Sequence, residues 1–204
     1  MYKRNTKRII DLFLSISGFL ILLPLSFFIY IVLFFINDGK PLFFQPRPGK
    51  NEKIFTIFKF KTMNDSKDTN GNVLPDNERL TPLGKFIRKA SLDEIPQLIN
   101  VFIGDMSFIG PRPLLIRYLP YYTTMDKKRH QIRPGITGLA QISGRNLLNW
   151  DDRLKKDVEY VENISFLNDF SILLKTIKNV LTAKDIVVDP SSVMIDLDDY
   201  RKLG

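Results

Sequence analysis

The sequence predicts an α+β protein in which an N-terminal membrane helix precedes a small, mostly helical domain with a short β-hairpin and amphipathic helices. Three observations lead to this prediction: a charge-free apolar run over residues 12–36, two short apolar segments joined by a Pro-Gly turn, and helix start and stop signals further along the chain. With 25% charged and 44% hydrophobic residues among 204, the composition is that of an ordered protein with one ordinary core.

The apolar run LFLSISGFLILLPLSFFIYIVLFFI predicts insertion into a membrane. As a helix it would be about 37 Å long, which exceeds the ~30 Å thickness of the hydrocarbon core of a bilayer. A secretory signal peptide has a shorter apolar region followed by a small-residue cleavage site, and the run has neither feature. We therefore predict a membrane anchor over residues 1–38.

Two topologies are compatible with this anchor. Basic residues, including Lys7 and Arg8, precede the run and others follow it, so the positive-inside rule selects neither orientation. Pro24 lies at the midpoint, where it frees the carbonyl group of Leu20 and bends the helix. A re-entrant helix and a kinked spanning helix both accommodate these features. Of the two, we predict the re-entrant anchor, with both ends on the cytoplasmic face.

Residues 42–63, LFFQPRPGKNEKIFTIFKFKTM, predict a β-hairpin around a Pro-Gly turn. Lys59 and Lys61 are two residues apart and therefore lie on one face of the second strand. Such a pair can hold a phosphate group, or it can simply belong to a solvated edge.

A polar loop and two helices are predicted to follow the hairpin. Residues 64–79 contain turn formers and no apolar period, which indicates a loop. Thr81-Pro82 has good helix-start chemistry, and the predicted helix carries Arg88. Gly104 is expected to end the next helix.

The segment SLDEIPQ, residues 91–97, contains the adjacent acids Asp93 and Glu94. Ser91 followed three residues later by Glu94 fits a capping box, in which the glutamate side chain reaches back to the serine backbone N–H. Taken alone, the seven residues favour this cap, because capping signals are common and catalytic pairs of acids are rare. The catalytic interpretation needs support from the rest of the chain.

Arginines in rigid segments are candidates for phosphate binding. Arg112 lies between two prolines in GPRP, and RPGITGLAQISGRN carries Arg133 and Arg145. A stiff backbone suits bidentate contact between a guanidinium and a phosphate, and the net charge of +8 also implies an anionic partner. The single histidine, His130, lies among lysines and is expected on the solvated surface, which disfavours histidine-based catalysis and metal sites.

Three of these segments together resemble one family. KFKTM (59–63), SLDEIPQLINVFIGDMSFIGPRP (91–113) and RPGITGLAQISGRN (133–146), behind an apolar helix, are similar to the bacterial sugar transferases called monotopic phosphoglycosyl transferases, in particular the small single-domain members. The resemblance suggests an anchor over 1–38, a catalytic domain over 39–187 and a C-terminal tail over 188–204 outside the match. The family usually has Ser-Pro at the middle of its re-entrant helix, whereas this chain has Leu23-Pro24.

The resemblance implies transfer of a sugar 1-phosphate from a UDP-sugar to polyprenol (undecaprenyl) phosphate, with release of UMP, at the cytoplasmic face of a bacterial inner membrane. Asp93 would be the covalent nucleophile and a ligand of Mg²⁺, and Glu94 would assist proton handling. The implied substrate- and phosphate-binding residues are Lys59, Arg88, Arg112, Arg133, Arg145 and Asp157, although Asp157 can also be a solvated helix acid. The transferred sugar is expected to be an N-acetylated or diacetamido deoxy-sugar, with a hexosamine as the alternative.

Two other functions stay open from the residues alone. A membrane-anchored basic adaptor would bind nucleic acid or anionic lipid, and a UDP-sugar hydrolase would use water as the acceptor. For the transferase we expect anionic membrane lipids and downstream glycosyltransferases as partners, and no nucleic acid. Apolar residues at 167, 170, 174, 177 and 181 predict an amphipathic helix, which can pack on the core or lie in the headgroup layer.

Overall fold

The computed structural model describes residues 2–144, 148–182 and 195–203, and it shows a long helix packed along a small mixed domain. The α-helices are α1 (Lys7–Ile36), α2 (Asp76–Arg79), α3 (Pro82–Lys89), α4 (Gln97–Ile103), α5 (Leu139–Ile142), α6 (Trp150–Glu162), α7 (Phe166–Leu181) and α8 (Leu197–Leu203). The strands are β1 (Leu42–Pro48), β2 (Ile54–Phe60), β3 (Ser107–Ile109) and β4 (Gly135–Thr137). The predicted α+β class is confirmed.

The predicted apolar helix is confirmed as α1, which is one continuous helix with Pro24 inside it. Among the described residues it is the one helix that is long and apolar enough to cross a membrane, and only 11% of its most apolar window is buried by the protein. Because α1 is continuous, the structure does not display a re-entrant turn at Pro24, and the re-entrant topology stays a prediction.

The N-terminal end of α1 is bonded to the domain. The guanidinium of Arg8 donates to the carbonyl oxygens of Val101 and Phe102 at 2.6 and 2.8 Å, which caps the C-terminal turn of α4. Asp11 is buried and accepts hydrogen bonds from the Ser107 hydroxyl and the Phe108 backbone N–H, both at 3.0 Å. These bonds attach the first turns of α1 to α4 and β3.

The C-terminal end of α1 contacts the same domain. Ile29 and Leu33 are buried in an apolar cluster together with Phe60 of the hairpin. Just beyond the helix, the Asn37 side-chain amide donates to the carbonyl oxygen of Lys61 at 2.9 Å. One stripe of α1 therefore lies against the domain at both ends of the helix.

The predicted hairpin is confirmed. β1 and β2 are antiparallel and in register from Leu42 opposite Phe60 to Pro48 opposite Ile54. The Asn100 side chain of α4 connects to β2 by donating to the Thr56 carbonyl oxygen at 2.7 Å and accepting from the Phe58 N–H at 3.0 Å. This places the segment before α4 beside the end of β2.

A short parallel pair, β3 and β4, was not predicted. Its three-residue strands are too short to display an alternating pattern. A Cβ atom on Gly135 would lie 2.1 Å from the Gly110 nitrogen, so only glycine permits this approach of the two backbones. Gly110 also donates its N–H to the Thr137 carbonyl oxygen at 2.9 Å. The pair thus holds the GPRP segment against the RPGITG segment.

Local helix signals are confirmed at two positions. The Thr81 hydroxyl accepts from the Gly84 N–H at 2.9 Å and starts α3, whereas Gly104 ends α4 with a left-handed φ of 98°. The prediction for His130 is wrong: its side chain is 6% exposed and its Nδ1 is hydrogen-bonded to the Gly49 carbonyl oxygen at 3.2 Å. Burial, helped by the charge of Arg129, lowers the pKa of His130 to about 4. The histidine at this position is neutral because burial disfavours its charged form.

The last two described helices differ in what they bury. The predicted amphipathic helix is confirmed as α7, and its apolar stripe is exposed, with Leu167 and Leu174 at 77% and 51%. In α8, Leu197 is completely buried in an aromatic cluster around Trp150, whose indole N–H donates to the Ile195 carbonyl oxygen at 2.8 Å. Part of the predicted tail therefore belongs to the folded domain.

Candidate active site

The turn between α3 and α4 presents the two adjacent acids. Ser91 has a left-handed φ of 56°, residues Leu92–Glu94 form one 3₁₀ turn, and α4 starts only after Pro96. The capping-box interpretation is wrong, since Ser91 makes no side-chain cap and the Glu94 carboxylate bonds two cations instead of a backbone N–H. The proline breaks the helix that a cap would have started, because it cannot donate to the preceding turn.

Asp93 is a buried carboxylate that is 9% exposed. The Nζ of Lys59 lies 3.5 Å from its Oδ2, and no residue in the described part of the chain donates a hydrogen bond to it. Burial raises the pKa of Asp93 above its ordinary value, against the opposing charge of Lys59. An anion that is poorly solvated and has few partners is more reactive toward an electrophile than a fully hydrogen-bonded one.

Glu94 has the opposite environment. Its Oε1 accepts from Lys59 Nζ at 2.8 Å and from the Arg112 guanidinium at 2.7 Å. Burial opposes ionisation, but the charges of Arg112 and Lys59 outweigh it and hold the pKa of Glu94 far below its ordinary value. Glu94 is therefore a permanent anion that holds two cations beside Asp93.

Arg112 is positioned by a second, deeper ion pair. The guanidinium of Arg129 donates to the backbone carbonyl oxygen of Arg112 at 2.6 Å and to Asp157 Oδ2 at 2.8 Å. The side chains of Arg129 and Asp157 are only 2% and 3% exposed. The solvated alternative for Asp157 is thus excluded, and the buried pair fixes the backbone that carries Arg112.

A cavity of about 1130 Å³ opens beside the two acids. It is lined by six of the predicted site residues: Lys59, Arg88, Asp93, Glu94, Arg112 and Asp157. Arg88 is held in this wall by a 2.8 Å hydrogen bond from its Nε to the Thr62 hydroxyl. One side of the cavity is apolar and includes Leu22 of α1 together with Leu98 and Phe108.

The structure separates Arg133 from this group. Arg133 is absent from the residues lining the cavity, and its Nε donates to the Gly104 carbonyl oxygen at 2.6 Å, close to Arg8. In this position it supports the contact between α4 and the start of α1. Arg145 lies outside the described residues.

Sequence reasoning missed several arginines at or beside the cavity, among them Arg47, Arg153 and Arg129. Arg47 lines it, and burial together with the charge of Arg112 lowers the pKa of Arg47 to about 10. The sequence feature that could have identified Arg47 is the proline on either side of it, the same pattern that made Arg112 a candidate. Arg153 lines the cavity one helical turn before Asp157, a spacing that places both on one face of α6. Arg129 has no signal, because a buried arginine in a basic run looks like a solvated one.

Comparison with known proteins places the chain among sugar transferases. A sequence model described as bacterial sugar transferase matches residues 2–183. The chain is 52% identical over 152 residues to the uncharacterized sugar transferase EpsL of Bacillus subtilis, covering 74% of this chain and 75% of EpsL. It is 39% identical over 199 residues to the undecaprenyl-phosphate galactose phosphotransferase of Salmonella typhimurium, covering 87% of this chain and 41% of the relative.

A third relative, the undecaprenyl-phosphate glucose phosphotransferase of Komagataeibacter xylinus, is 36% identical over 197 residues, which are 88% of this chain and 36% of that protein. The chain therefore spans less than half the length of these two phosphotransferases. The matched region nevertheless contains the whole cavity apart from Asp196. The chain belongs to the bacterial sugar transferase family.

Proposed function

We propose that this protein transfers a sugar 1-phosphate from a UDP-sugar to polyprenol phosphate and releases UMP. The observation that carries the proposal is Asp93, a buried carboxylate without hydrogen-bond donors in the described chain, at the wall of a cation-lined cavity. Relatives named undecaprenyl-phosphate galactose and glucose phosphotransferases support the class of reaction.

The reaction has two displacements at one phosphorus. A carboxylate oxygen of Asp93 attacks the phosphorus that carries the sugar, the bond to the bridging oxygen breaks, and UMP leaves with the bonding electrons. A phosphate oxygen of the polyprenol phosphate then attacks the same phosphorus, the acyl-phosphate bond breaks, and Asp93 recovers its carboxylate. The first step moves negative charge onto the departing UMP, which nearby cations stabilise, and the second step returns negative charge to the Asp93 carboxylate.

The cations of the cavity have separate tasks in this scheme. Lys59 and Arg112 are held beside Asp93 by their shared anion Glu94, so they are oriented before substrate enters. Arg47 and Arg88 line the same cavity and supply further positive charge for the departing UMP. The contacts of Glu94 favour this orienting role, and the proton handling implied by the resemblance stays a prediction.

The carboxylate of Asp93 is a suitable ligand for Mg²⁺. Magnesium sites in enzymes commonly use one or two carboxylates and complete their coordination with substrate phosphates and water. Asp93, which has no hydrogen bond within the described residues, would hold the ion together with the diphosphate, and the ion would neutralise diphosphate charge.

The acceptor and the anchor belong together in this proposal. Polyprenol phosphate is a membrane lipid, so its phosphate must reach Asp93 at a bilayer surface. The cavity has a cationic side around Arg112 and an apolar side that includes Leu22 of α1, which suits a phosphate attached to a hydrocarbon chain. The exposed apolar stripe of α7 supports partial embedding in the headgroup layer, with anionic lipids as neighbours of its lysines.

The contacts of α1 support the re-entrant anchor. A straight helix of 30 residues is about 45 Å long, so a spanning α1 would place its two ends on opposite surfaces of a bilayer. Arg8 and Asn37 at those ends nevertheless bond the same small domain, at Val101 and Lys61. We propose that both ends lie on the cytoplasmic face.

Single cysteines test this topology, because the chain has none of its own. Tyr2→Cys and Lys40→Cys are both expected to resist a membrane-impermeant thiol reagent in intact cells and to react after permeabilisation. Pro24→Ala, which restores the missing backbone donor and straightens the helix, should increase labelling at position 2. Labelling of Tyr2→Cys in intact cells, in the background that retains Pro24, would establish a spanning helix instead.

A substrate panel tests the function as a whole. Purified protein in lipid nanodiscs with Mg²⁺ and undecaprenyl phosphate should release UMP from at least one UDP-sugar, and omission of the lipid should stop turnover. Continued turnover without the lipid would indicate a hydrolase, whereas salt-sensitive polyanion binding without UMP release would indicate the basic adaptor. The panel also compares diacetamido deoxy-sugars and hexosamines with galactose and glucose, the sugars in the names of the relatives.

A further inference from the structure

The side-chain amide of Gln141 is the strongest unexplained polar group beside the cavity. Gln141 lies in the short helix α5 and lines the cavity. Both its Oε1 and its Nε2 are buried, and neither has a hydrogen-bond partner within the described residues. An unsatisfied buried donor or acceptor costs about 1–3 kcal/mol, so a carboxamide with both ends free is expected to have a function.

The surroundings place this amide beside the backbone of Gly138, which packs against the segment that leads to Arg112. A Cβ atom on Gly138 would lie 2.9 Å from Gln141 Oε1 and 2.2 Å from the Gly110 carbonyl oxygen. The carboxamide oxygen and the Gly110 carbonyl oxygen therefore both lie beside Gly138, and Gly110 is two residues before Arg112 along the GPRP segment. Gln141 and Arg112 also line the same cavity, so a ligand that fills it can contact both.

The chemistry of a carboxamide selects among the parts of a UDP-sugar. A glutamine offers one acceptor oxygen and one donor NH₂ side by side, so it pairs best with a partner that presents N–H and C=O on the same edge. Phosphates offer acceptors only, and hydroxyl groups can donate or accept but rotate and present no fixed donor–acceptor edge. The N–H and C=O of an acetamido group point to opposite sides because its amide is trans. The imide edge of uracil presents N3–H next to a carbonyl oxygen and satisfies both atoms at once.

We propose that Gln141 binds the uracil base of the nucleotide donor through a two-point hydrogen bond. This inference rests on the proposed function, because it assigns the part of the donor that does not react. Gln141 is then a substrate-specificity residue. In this arrangement Asp93 and the arginines bind the diphosphate, the apolar side of the cavity binds the lipid, and α5 binds the base.

Binding of two nucleotides to two proteins tests the assignment. UMP and N3-methyl-UMP differ only at the proposed donor of the base, and Gln141→Leu removes the proposed partner while keeping a similar volume. Calorimetry on the full-length protein in nanodiscs should show that wild type binds UMP tenfold or more tightly than N3-methyl-UMP, as expected for about 1.4 kcal/mol or more from the paired bonds. Gln141→Leu should bind both nucleotides weakly, with nearly equal affinity, since the cycle isolates this one contact.

Other outcomes overturn the inference in distinguishable ways. If wild type and Gln141→Leu prefer UMP over N3-methyl-UMP by the same factor, Gln141 does not contact the base. An unchanged UMP affinity combined with altered KM values among UDP-sugars would assign it to the sugar. The Tm of Gln141→Leu should be unchanged or higher, and a marked decrease would reveal an internal partner of the amide. If wild type binds no UMP and turns over no UDP-sugar, the proposed function fails as well.

Discussion

Asp93→Asn is expected to reduce sugar-phosphate transfer by at least roughly a hundredfold, in line with the removal of a covalent nucleophile, while the protein stays folded and membrane-bound. Asparagine has the same shape, and Asp93 receives no hydrogen bond from the described residues whose loss would destabilise the turn. Loss of a buried carboxylate with a raised pKa should leave the Tm unchanged or raise it. UMP release in nanodiscs and thermal unfolding measure the two effects. Asp199→Asn, which removes an exposed carboxylate of α8, is the matched control and should retain activity.

The same variant also tests the intermediate directly. Wild type with UDP-sugar and Mg²⁺ but no acceptor should gain the mass of one sugar phosphate on the peptide that contains Asp93, and Asp93→Asn should gain none. The acyl phosphate should disappear when polyprenol phosphate is added. If rapid-quench mass analysis finds no adduct and Asp93→Asn still transfers, the covalent mechanism is wrong and the two acids have a structural role.

Separating Arg129 from Asp157 is expected to give the largest loss of stability. Asp157→Leu or Arg129→Met leaves one charge buried without its partner, which typically costs about 3–5 kcal/mol and would lower the Tm by roughly 10 °C. The double variant removes both charges and should recover most of the stability, because two apolar side chains can occupy this space. Thermal unfolding of the three variants in nanodiscs measures these differences.

The neighbouring ion pair gives a matched control for this comparison. Lys128 and Glu162 are also 2.8 Å apart, but their side chains are 35% and 50% exposed, so Glu162→Gln should cost less than ~1 kcal/mol. The double variant should stay impaired in transfer even when its Tm recovers, because Arg129 no longer fixes the Arg112 carbonyl oxygen. Similar Tm values for wild type and both single variants would show that the buried pair does not determine stability.

Much of the fold was predictable because its signals are local. The apolar run that became α1, the Thr81 cap of α3 and the Gly104 stop of α4 each depend on a few consecutive residues. The hairpin of β1 and β2 likewise follows from a turn between two apolar segments. The parallel pair β3 and β4 was not predictable, since strands of three residues carry no period and their partners are far apart in the chain.

The candidate site likewise has features that could be predicted from the sequence and others that could not. Asp93, Glu94 and Arg112 could be selected because adjacent acids and a proline-bracketed arginine are visible in the sequence and match a family pattern. Their different electrostatic states could not, because the contrast comes from Lys59 and Arg112, which pair with Glu94 and leave Asp93 without a hydrogen bond in the described chain. Residue type alone gives the two acids similar pKa values.

The long apolar helix, the hairpin and the pair of acids next to rigid arginines all follow from local sequence patterns. Which polar residues are buried does not: His130 and Arg129 lie in a basic segment that sequence reasoning places on the surface, yet both are enclosed. The reason is that burial depends on which distant segments pack over a residue, as Asp157 packs over Arg129 from 28 residues away. A local pattern records the preferences of neighbours along the chain, and it contains no information about such partners.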